Sequence, residues 1–382
     1  AFCYRLIREN FQELGLPGDM KLGREGENEL IQSAVLEALL DEEYEKGDPD
    51  FMRLMELFSG SRSDYVQGGG GNTSVKLDDR LMAVKASGFC LSDVKPDSAY
   101  AVMDYSAIRA FYRGHEATDF ADAEKAGSEE AKANTVSVEG LAALRPSVEA
   151  GFHSLLGTFV IHSHSVYANL ACCAVEMKQA LTEALAGADF SWGMVPYIDP
   201  GARLSFAIRD EMDRVSRETG KTPTVLFMQN HGLIVHEETA DAALSLHDAV
   251  NARLAKHFGV AADAFLRMDL EAYIANRLRM RGYDASFFID TPLYPDQMVF
   301  FVGTLGFGAG AAEEGGARLD LSTGALSFGI PAAQARVITE TLAAVLFIQE
   351  QIEEKGYTLS TMGEQAKRFI ANWESEKYRK SL

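Results

Sequence analysis

The chain has 382 residues, of which 47% are hydrophobic and 24% charged, a composition typical of a globular protein with a sizeable core. Its formal net charge of −20 argues against nucleic acid as a partner, because binding a polyanion requires a concentrated basic surface. We expect no membrane span, since no apolar run approaches roughly 18 residues, and no secretory signal peptide. The four cysteines show neither a disulfide framework nor a C-x-x-C metal spacing, so we expect a cytoplasmic protein.

The first part of the chain is predicted to be helical and then to form short strands after a glycine-rich loop. Apolar residues recur at helical spacing within residues 1–62. The run Gly68-Gly69-Gly70-Gly71 then opens into short strands predicted within 72–104. Glycine lets backbone N–H groups converge on an anion, and Asn72 adds a side-chain donor. We therefore predict an anion-binding loop, although such a run is also typical of a flexible turn, and it matches neither a dinucleotide fingerprint nor a P-loop.

A second group of donors follows the next predicted strand. The segment Lys85-Ala86-Ser87-Gly88 is separated from the glycine run by one hairpin, so both loops could face the same anion. Ser106 is predicted to cap a helix that runs through Tyr112. The stretch 113–137 is rich in Ala, Glu and Asp and lacks apolar periodicity, which predicts an exposed excursion.

A helix start carries the next candidate functional residue. Pro146 and Ser147 open a segment that predicts a helix near 147–156, and this helix places Glu149 and His153 on one face. A carboxylate beside a metal-bound substrate is the usual arrangement for proton transfer at carbon or oxygen. An ordinary ion pair on a solvated helix face is the alternative interpretation.

Three histidines have the spacing of metal ligands. His162 and His164 end an apolar segment, 157–163, that predicts a strand, and alternate side chains of a strand point the same way. A second apolar strand at 223–228 leads to His231 in the same manner. Three protein ligands with one open position describe a catalytic zinc site. A surface strand with solvated histidines is the alternative for the pair alone.

The remaining core is predicted to alternate helices and strands, and the pattern changes near 288–295. The predicted helices span 165–186, 203–219, 239–257 and 262–281, and a further strand spans 232–236. We predict a catalytic domain over 1–290 and a small C-terminal α/β extension over 291–382. In the extension we expect a buried strand at 298–302, a glycine-rich loop at 303–316, a hairpin at 317–329, and helices around 337–352 and 362–379. We expect it to form a subunit interface rather than to cover the active site.

Six motifs in a fixed order carry a resemblance to a known family. They are GGGGNTSVK, KASGF, RPSVEAGFH, VIHSHSVYA, VPYIDPGARL and MQNHGLIVHEET, and they extend from roughly residue 50 to 285. The chain resembles the class II aldolase/adducin family, and within it the longer members that are similar to rhamnulose-phosphate aldolase. The resemblance implies an α/β fold with an αβα core around a central, mainly antiparallel sheet, followed by the C-terminal extension.

The resemblance also implies roles for individual residues. A divalent metal, zinc or possible substitutes such as Mn²⁺ or Co²⁺, is expected at His162, His164 and His231. Glu149 is expected to be the catalytic acid/base, and Tyr197 a proton donor that reaches the active site of a neighbouring protomer. The substrate phosphate is expected at Gly71, Asn72, Ser87, Gly88 and Ser147. A homotetramer is expected because the family forms one.

The implied reaction is a reversible retro-aldol cleavage of a ketose, expected to be a ketose 1-phosphate, to dihydroxyacetone phosphate and an aldehyde. Dehydratases, epimerases and decarboxylases of the same family remain alternatives, although the epimerases commonly have aspartate where this chain has Glu149. An adducin-like scaffold without catalysis is disfavoured because it lacks the metal ligands. Val148 stands where many phosphate-ketose aldolases have a small hydroxyl residue, which weakens the expectation of a phosphorylated substrate.

Overall fold

A central sheet organises the protein, and a computed structural model describes residues 62–94, 98–138 and 141–372. The helices predicted within 1–61 and the end of the last predicted helix lie outside these residues. The strands of the main sheet are β1 Asn72–Lys76, β2 Leu81–Lys85, β3 Tyr100–Asp104, β4 Thr135–Val136, β5 Phe159–Ser163, β6 Trp192–Val195, β7 Val225–Met228 and β8 Gly232–Glu237. Their order is β4-β3-β2-β1-β5-β8-β7-β6, and all neighbours are antiparallel except β6 and β7. The prediction of an α/β fold with a mainly antiparallel central sheet is confirmed.

Helices pack on both faces of this sheet and continue to the end of the described chain. They are α1 Tyr105–Gly114, α2 Ala123–Ala133, α3 Ala150–Leu155, α4 Val166–Cys172, α5 Met177–Ala184, α6 Ala202–Thr219, α7 Ala240–Phe258, α8 Leu270–Arg281, α9 Ala285–Ile289, α10 Pro295–Phe301, α11 Ala332–Glu354 and α12 Glu364–Asn372. Short 3-10 turns occur at Leu91–Asp93 and Ala117–Asp119. Among the described helices, none combines the length and apolar character that crossing a bilayer requires.

Strand β5 lies in the middle of the sheet and is buried on both faces. Ile161 belongs to one hydrophobic cluster and Val160 to another, because successive side chains of a strand point to opposite faces. The register on either side aligns His162 with Asn72 of β1 and with Ile234 of β8. The continuous apolar sequence before His162 is therefore the pattern of a strand covered on both sides.

A second, three-stranded sheet lies in the C-terminal part of the chain. Its strands are β9 Leu305–Phe307, β10 Ala317–Leu319 and β11 Leu326–Phe328, in the order β11-β10-β9. The antiparallel pair β10 and β11 confirms the predicted hairpin, and α11 confirms the helix predicted around 337–352. The loop predicted at 303–316 contains β9, which pairs in parallel with β10.

Two predictions about secondary structure were wrong. The predicted strand at 298–302 is helical, since α10 begins with Pro295 at its first position and has Asp296 in its first turn. A five-residue apolar run does not distinguish a buried strand from a buried helix by its period. Ser106 does not cap a helix, because α1 begins at Tyr105 and the side chain of Asp104 accepts the capping hydrogen bond from the backbone N–H of Ala107.

The excursion predicted at 113–137 is exposed at most of its positions, as expected. It contains α2, whose Glu124 accepts hydrogen bonds from the backbone N–H groups that begin α6, at Ala202 and Arg203.

The described residues after 290, here called the C-terminal segment, share one hydrophobic cluster with the residues before them. Leu346 of α11 and Tyr167 of α4 both belong to it, and the rings of Phe347 and Tyr167 are 6.3 Å apart. The division of the chain at residue 290 stays a prediction. The packing indicates that the described residues on both sides of it stabilise the same core.

We expect Leu346→Ala to lower the free energy of unfolding by about 2–5 kcal/mol, because Leu346 is fully buried and its truncation leaves a cavity. Unfolding followed by circular dichroism and by aromatic fluorescence should show one coincident transition, shifted to lower denaturant. Met280→Ala, at a side chain that is 78% exposed, is the control and should change stability by less than about 0.5 kcal/mol. Two separate transitions, with only one affected by Leu346→Ala, would contradict a shared core.

Candidate metal centre

Three buried histidine side chains converge at one end of the central sheet. The Nε2 atoms of His162 and His164 are 3.2 Å apart, and the ring centroid of His231 is 5.0 Å from that of His162 and 5.1 Å from that of His164. One ligand atom from each of the three lies within 4.8 Å of the others. The predicted set is therefore brought together by the fold, and the cluster can hold a metal ion.

The sheet and one tight turn deliver these side chains. His162 is within β5 and His164 follows its end, so both extend from the same buried strand. His231 lies in the turn between β7 and β8, directly after Asn230, which has a left-handed backbone with φ of 50°. The backbone N–H of Asn230 donates to the carbonyl of Cys172, at 2.9 Å, and thereby ties this turn to the end of α4.

The surroundings of the imidazoles fit a divalent metal. Nδ1 of His162 is 3.1 Å from the carbonyl oxygen of Leu233, and a carbonyl only accepts, so Nδ1 carries the proton and Nε2 presents its lone pair. Nδ1 of His231 is buried without a hydrogen-bond partner among the described residues. Burial lowers the pKa of His231 to about 4, which keeps this imidazole neutral, as a metal ligand must be.

Glu149 lies against this cluster without being needed as a ligand. Its Oε1 atom is 3.5 Å from Nε2 of His162 and 3.4 Å from Nε2 of His231. Burial alone would raise the pKa of Glu149, but its interactions with His162 and His231 outweigh burial and hold this pKa well below its usual value. The arrangement places an ionised carboxylate beside the point where the three imidazoles meet.

Helix α3, which begins directly after Glu149, is held by two basic side chains at its other end. Lys76 Nζ donates to the carbonyl of His153 at 2.6 Å, and Arg109 Nε donates to that of Ser154 at 2.7 Å. Carbonyls of the last helical turn lack partners within the helix, and cations there are favourable. Lys76 therefore has a structural role. His153 is fully buried and its Nδ1 atom is 2.7 Å from Oγ of Ser74, so the alternative of an ion pair with Glu149 on a solvated helix face is wrong.

The backbone of the glycine-rich loop lies close to the backbone of His162. Gly71 has a φ of 68°, and a Cβ atom there would lie 2.7 Å from the carbonyl oxygen of His162. Asn72 is buried opposite His162 in the sheet, and its Oδ1 atom has no hydrogen-bond partner among the described residues. A glycine is required at position 71 by both its conformation and the close approach of the backbone.

The second predicted anion loop meets the segment that carries Glu149. Ala86 and Pro146 form an antiparallel bridge, and the backbone N–H of Ser87 donates to the carbonyl of Arg145 at 3.0 Å. Gly88 follows with a φ of 91°. Ser147 is adjacent to this bridge, and its Oγ atom accepts a hydrogen bond from the backbone N–H of Glu149, at 3.3 Å. The fold thus connects the second loop with Ser147, while a role in binding an anion stays a prediction.

Tyr197 occupies a different environment from the other predicted residues. Its hydroxyl donates to Asp199 at 3.2 Å, and burial together with that carboxylate raises its pKa. Its ring packs against a small hydrophobic cluster that includes Met298 and Met362. Within the described residues, no hydrogen bond or ring contact joins it to the three histidines. Its role as a proton donor stays a prediction.

Sequence reasoning missed the contribution of the C-terminal segment to this centre. Asp296 Oδ2 is 2.5 Å from Nδ1 of His164, and the ring of Tyr294 lies edge-on to that of His164 with 6.2 Å between centroids. Both residues follow the predicted domain boundary and are fully buried. Because 132 residues separate Asp296 from His164, no local spacing could have indicated the pair.

Several solved structures are similar to this chain. The N-terminal class II aldolase domain of a protein from Thermoplasma acidophilum is 25% identical, covering 52% of this chain and 87% of that chain, with a TM-score of 0.42. An L-fuculose 1-phosphate aldolase is 19% identical over 56% of this chain and 86% of its own, with a TM-score of 0.34. A sugar-phosphate aldolase from Thermotoga maritima is 11% identical over 59% and 97%, with a TM-score of 0.39.

A short stretch of the chain is also similar to part of much longer proteins that are not described as aldolases. One chain of an ATP-dependent helicase/nuclease from Lachnoclostridium phytofermentans is 39% identical over 64 residues, and its counterpart from Syntrophomonas wolfei has the same identity and extent. The match covers 17% of this chain and 5% of the length of either relative. It spans too little of those proteins to carry their activity to this chain.

The family model described as the class II aldolase and adducin N-terminal domain matches residues 52–255, which is more than half of the 382-residue chain. The matched region contains Glu149 and all three histidines of the candidate metal centre. The chain therefore belongs to the class II aldolase and adducin family.

Proposed function

We propose that this protein is a zinc-dependent aldolase that cleaves a ketose, a ketose 1-phosphate in the first instance, to dihydroxyacetone phosphate and an aldehyde, reversibly. The observation that carries the proposal is the position of Glu149, whose Oε1 atom is within 3.5 Å of Nε2 of two of the three clustered histidines. A general acid/base must lie within reach of the substrate atoms that the metal activates. Three histidines are one of the ligand sets that catalytic zinc sites use.

Each group of residues would contribute a separate part of the reaction. A divalent ion held by the histidines would polarise the substrate carbonyl and stabilise the negative charge that develops on oxygen as the carbon–carbon bond breaks. Glu149, being ionised and buried, would accept and return a proton at the carbon or hydroxyl beside that oxygen. In the condensation direction Tyr197 would donate a proton to the aldehyde oxygen across a contact between protomers, and in the cleavage direction the same oxygen of Tyr197 would take that proton back from the substrate hydroxyl. This last role requires an assembly, for which we propose a homotetramer.

The anionic end of the substrate would be held by Gly71 and Asn72 on one loop and by Ser87, Gly88 and Ser147 on the other. Support comes from the bridge between Ala86 and Pro146, which connects the second loop with the segment of Glu149. Such contacts orient the substrate and supply the share of catalysis that comes from positioning. Val148 contributes no hydroxyl, and it lines a cavity of about 520 Å³ together with Ser147 and Arg145. Free ketoses are therefore included among the substrates to be tested.

A cytoplasmic location is part of the proposal. The adjacent residues Cys172 and Cys173 are buried thiols that form no disulfide, and burial raises the pKa of each. Cysteines that stay as thiols are typical of proteins in a reducing compartment.

We expect His162→Ala to lower the bound divalent metal from about one ion per chain to a small fraction, because one of three ligands is removed. The measurement is elemental analysis of protein purified without added chelator, for zinc, manganese and cobalt. The control is His115→Ala, which alters an exposed histidine outside the cluster and should keep the metal. Unchanged metal content in His162→Ala would contradict the site.

We expect Glu149→Gln to retain the metal and to lower kcat by about 100- to 10,000-fold, the range typical for loss of a general acid/base. The amide has the shape of the carboxylate but cannot accept a proton. Metal content and steady-state turnover are measured on the same preparation. Glu129→Gln, at an exposed helix position, is the matched control. Wild-type turnover in the Glu149→Gln protein would show that another group performs the proton transfer.

The substrate class is tested by incubation of the purified protein with a panel of ketose 1-phosphates and the corresponding free ketoses. We expect dihydroxyacetone phosphate and an aldehyde from at least one phosphorylated ketose, and loss of this product after metal removal. Release of carbon dioxide would instead identify a decarboxylase, a dehydrated ketone a dehydratase, and an epimeric pentulose phosphate an epimerase. Any of these three results would overturn the aldolase assignment.

A further inference from the structure

A carboxylate from the C-terminal segment bonds directly to one of the three clustered histidines. Asp296 lies in the first turn of α10 and is completely buried, and its Oδ2 atom is 2.5 Å from Nδ1 of His164. A buried charge is costly unless it is paired and hydrogen-bonded. Since Nδ1 of His164 bonds to the carboxylate, Nε2 remains to face Nε2 of His162, 3.2 Å away.

The glycine-rich loop closes over this pair from the other side. A Cβ atom at Gly70 would lie 2.7 Å from His164 Nδ1 and closer still to Asp296 Oδ2, so no larger residue fits without moving the pair. Tyr294 connects the C-terminal segment with the residues just before the glycine-rich loop. Its ring contacts that of His164, and its hydroxyl donates a hydrogen bond to Gln67 Oε1 at 3.1 Å. The loop and the C-terminal segment therefore enclose His164 between them.

The C-terminal segment also contacts the turn that carries His231. The side-chain amide of Asn230 donates to the carbonyls of Leu293, at 2.8 Å, and Ser360, at 3.0 Å, and the hydroxyl of Ser360 donates back to Asn230 Oδ1 at 2.9 Å. Asn230 has a positive φ, a conformation that non-glycine residues adopt only when their surroundings stabilise it. Two of the three histidines are thus fixed by contacts with residues after 290.

Hydrogen bonds within residues 293–297 and to Phe288 hold the part of the C-terminal segment that carries Asp296. The backbone N–H of Leu293 donates to Gln297 Oε1 at 2.9 Å, and Gln297 Nε2 donates to the carbonyl of Phe288 at 2.9 Å. Gln297 is completely buried, so these bonds do not compete with water. The carboxylate of Asp296 is therefore held in place before a metal arrives.

We propose, on the basis of the function proposed above, that Asp296 is a positioning residue for the metal and that the segment 293–296 completes the metal centre. Asp296 accepts a hydrogen bond from the Nδ1–H group of His164, which fixes the tautomer and the ring orientation that direct Nε2 to the metal. A carboxylate that bonds to a metal-ligating histidine raises the basicity of that ligand, and its loss typically weakens metal binding by about 10- to 100-fold. The segment thus belongs to the active site rather than only to an interface between protomers.

The proposal is tested by titrating metal-free protein with Co²⁺ and with Zn²⁺ in competition with a chelating indicator. We expect affinity to fall about 10-fold in Asp296→Asn, which loses the charge but keeps an acceptor, and towards 100-fold in Asp296→Ala, which loses both. The visible absorption bands of the Co²⁺ protein should also change, because the orientation of His164 changes. Asp290→Asn, at an exposed carboxylate near the same segment, is the matched control and should bind metal like the wild type.

The thermal transition of each metal-free variant separates positioning from folding. If Asp296→Ala proves unstable, Gly70→Ala provides a second variant, because its methyl group displaces the pair without removing any polar group, and we expect it to weaken Co²⁺ binding as well. Wild-type affinity and an unchanged Co²⁺ spectrum in Asp296→Asn and Gly70→Ala would overturn the inference. An absence of metal binding by the wild-type protein would instead overturn the proposed function.

Discussion

The burial of strand β5 in the middle of the sheet is the constraint on which the candidate site depends. Val160 and Ile161 are covered on opposite faces by different hydrophobic clusters, so the strand has one register available to it. A slip of one residue would exchange Val160 and Ile161 between two differently shaped clusters and turn His162 away from His231. The positions of His162 and His164 therefore follow from the hydrophobic burial of β5, while Asp296 and the turn at Asn230 supply further contacts that hold the candidate ligands His164 and His231.

Hydrogen bonds hold several polar groups of the site, while Nδ1 of His231 and Oδ1 of Asn72 are buried without a partner among the described residues. His162 is bonded to a backbone carbonyl, His164 to Asp296, and α3 is held at its end by Lys76 and Arg109. Removal from water makes each unpaired polar group costly and each paired one strong, so these contacts fix the geometry in advance. Burial lowers the pKa of His231, whereas interactions with His162 and His231 overcome the effect of burial and lower the pKa of Glu149, and both results suit metal-assisted proton transfer.

Membership of the class II aldolase and adducin family accounts for the region from the glycine loop to the third histidine. The C-terminal segment adds to it a carboxylate on His164 and two carbonyls on Asn230. The part of the chain that the family model matches and the residues after it therefore meet at the candidate metal centre. If a metal binds there, its affinity would be coupled to the folding of residues far along the chain, because the free energy of metal binding is shared with the elements that hold the ligands.

The amino-acid sequence by itself determined the features that depend on neighbours along the chain. The alternation of a strand pairs His162 with His164, a helix start presents Glu149, and the apolar segments predict most strands of the main sheet. Tertiary structure alone decided that residues 295–301 form a helix, that α2 packs on α6, and that Asp296 bonds to His164. Periodicity reports only which face of a short segment is buried, whereas the choice of partner across 132 residues depends on how all the side chains of the core pack together.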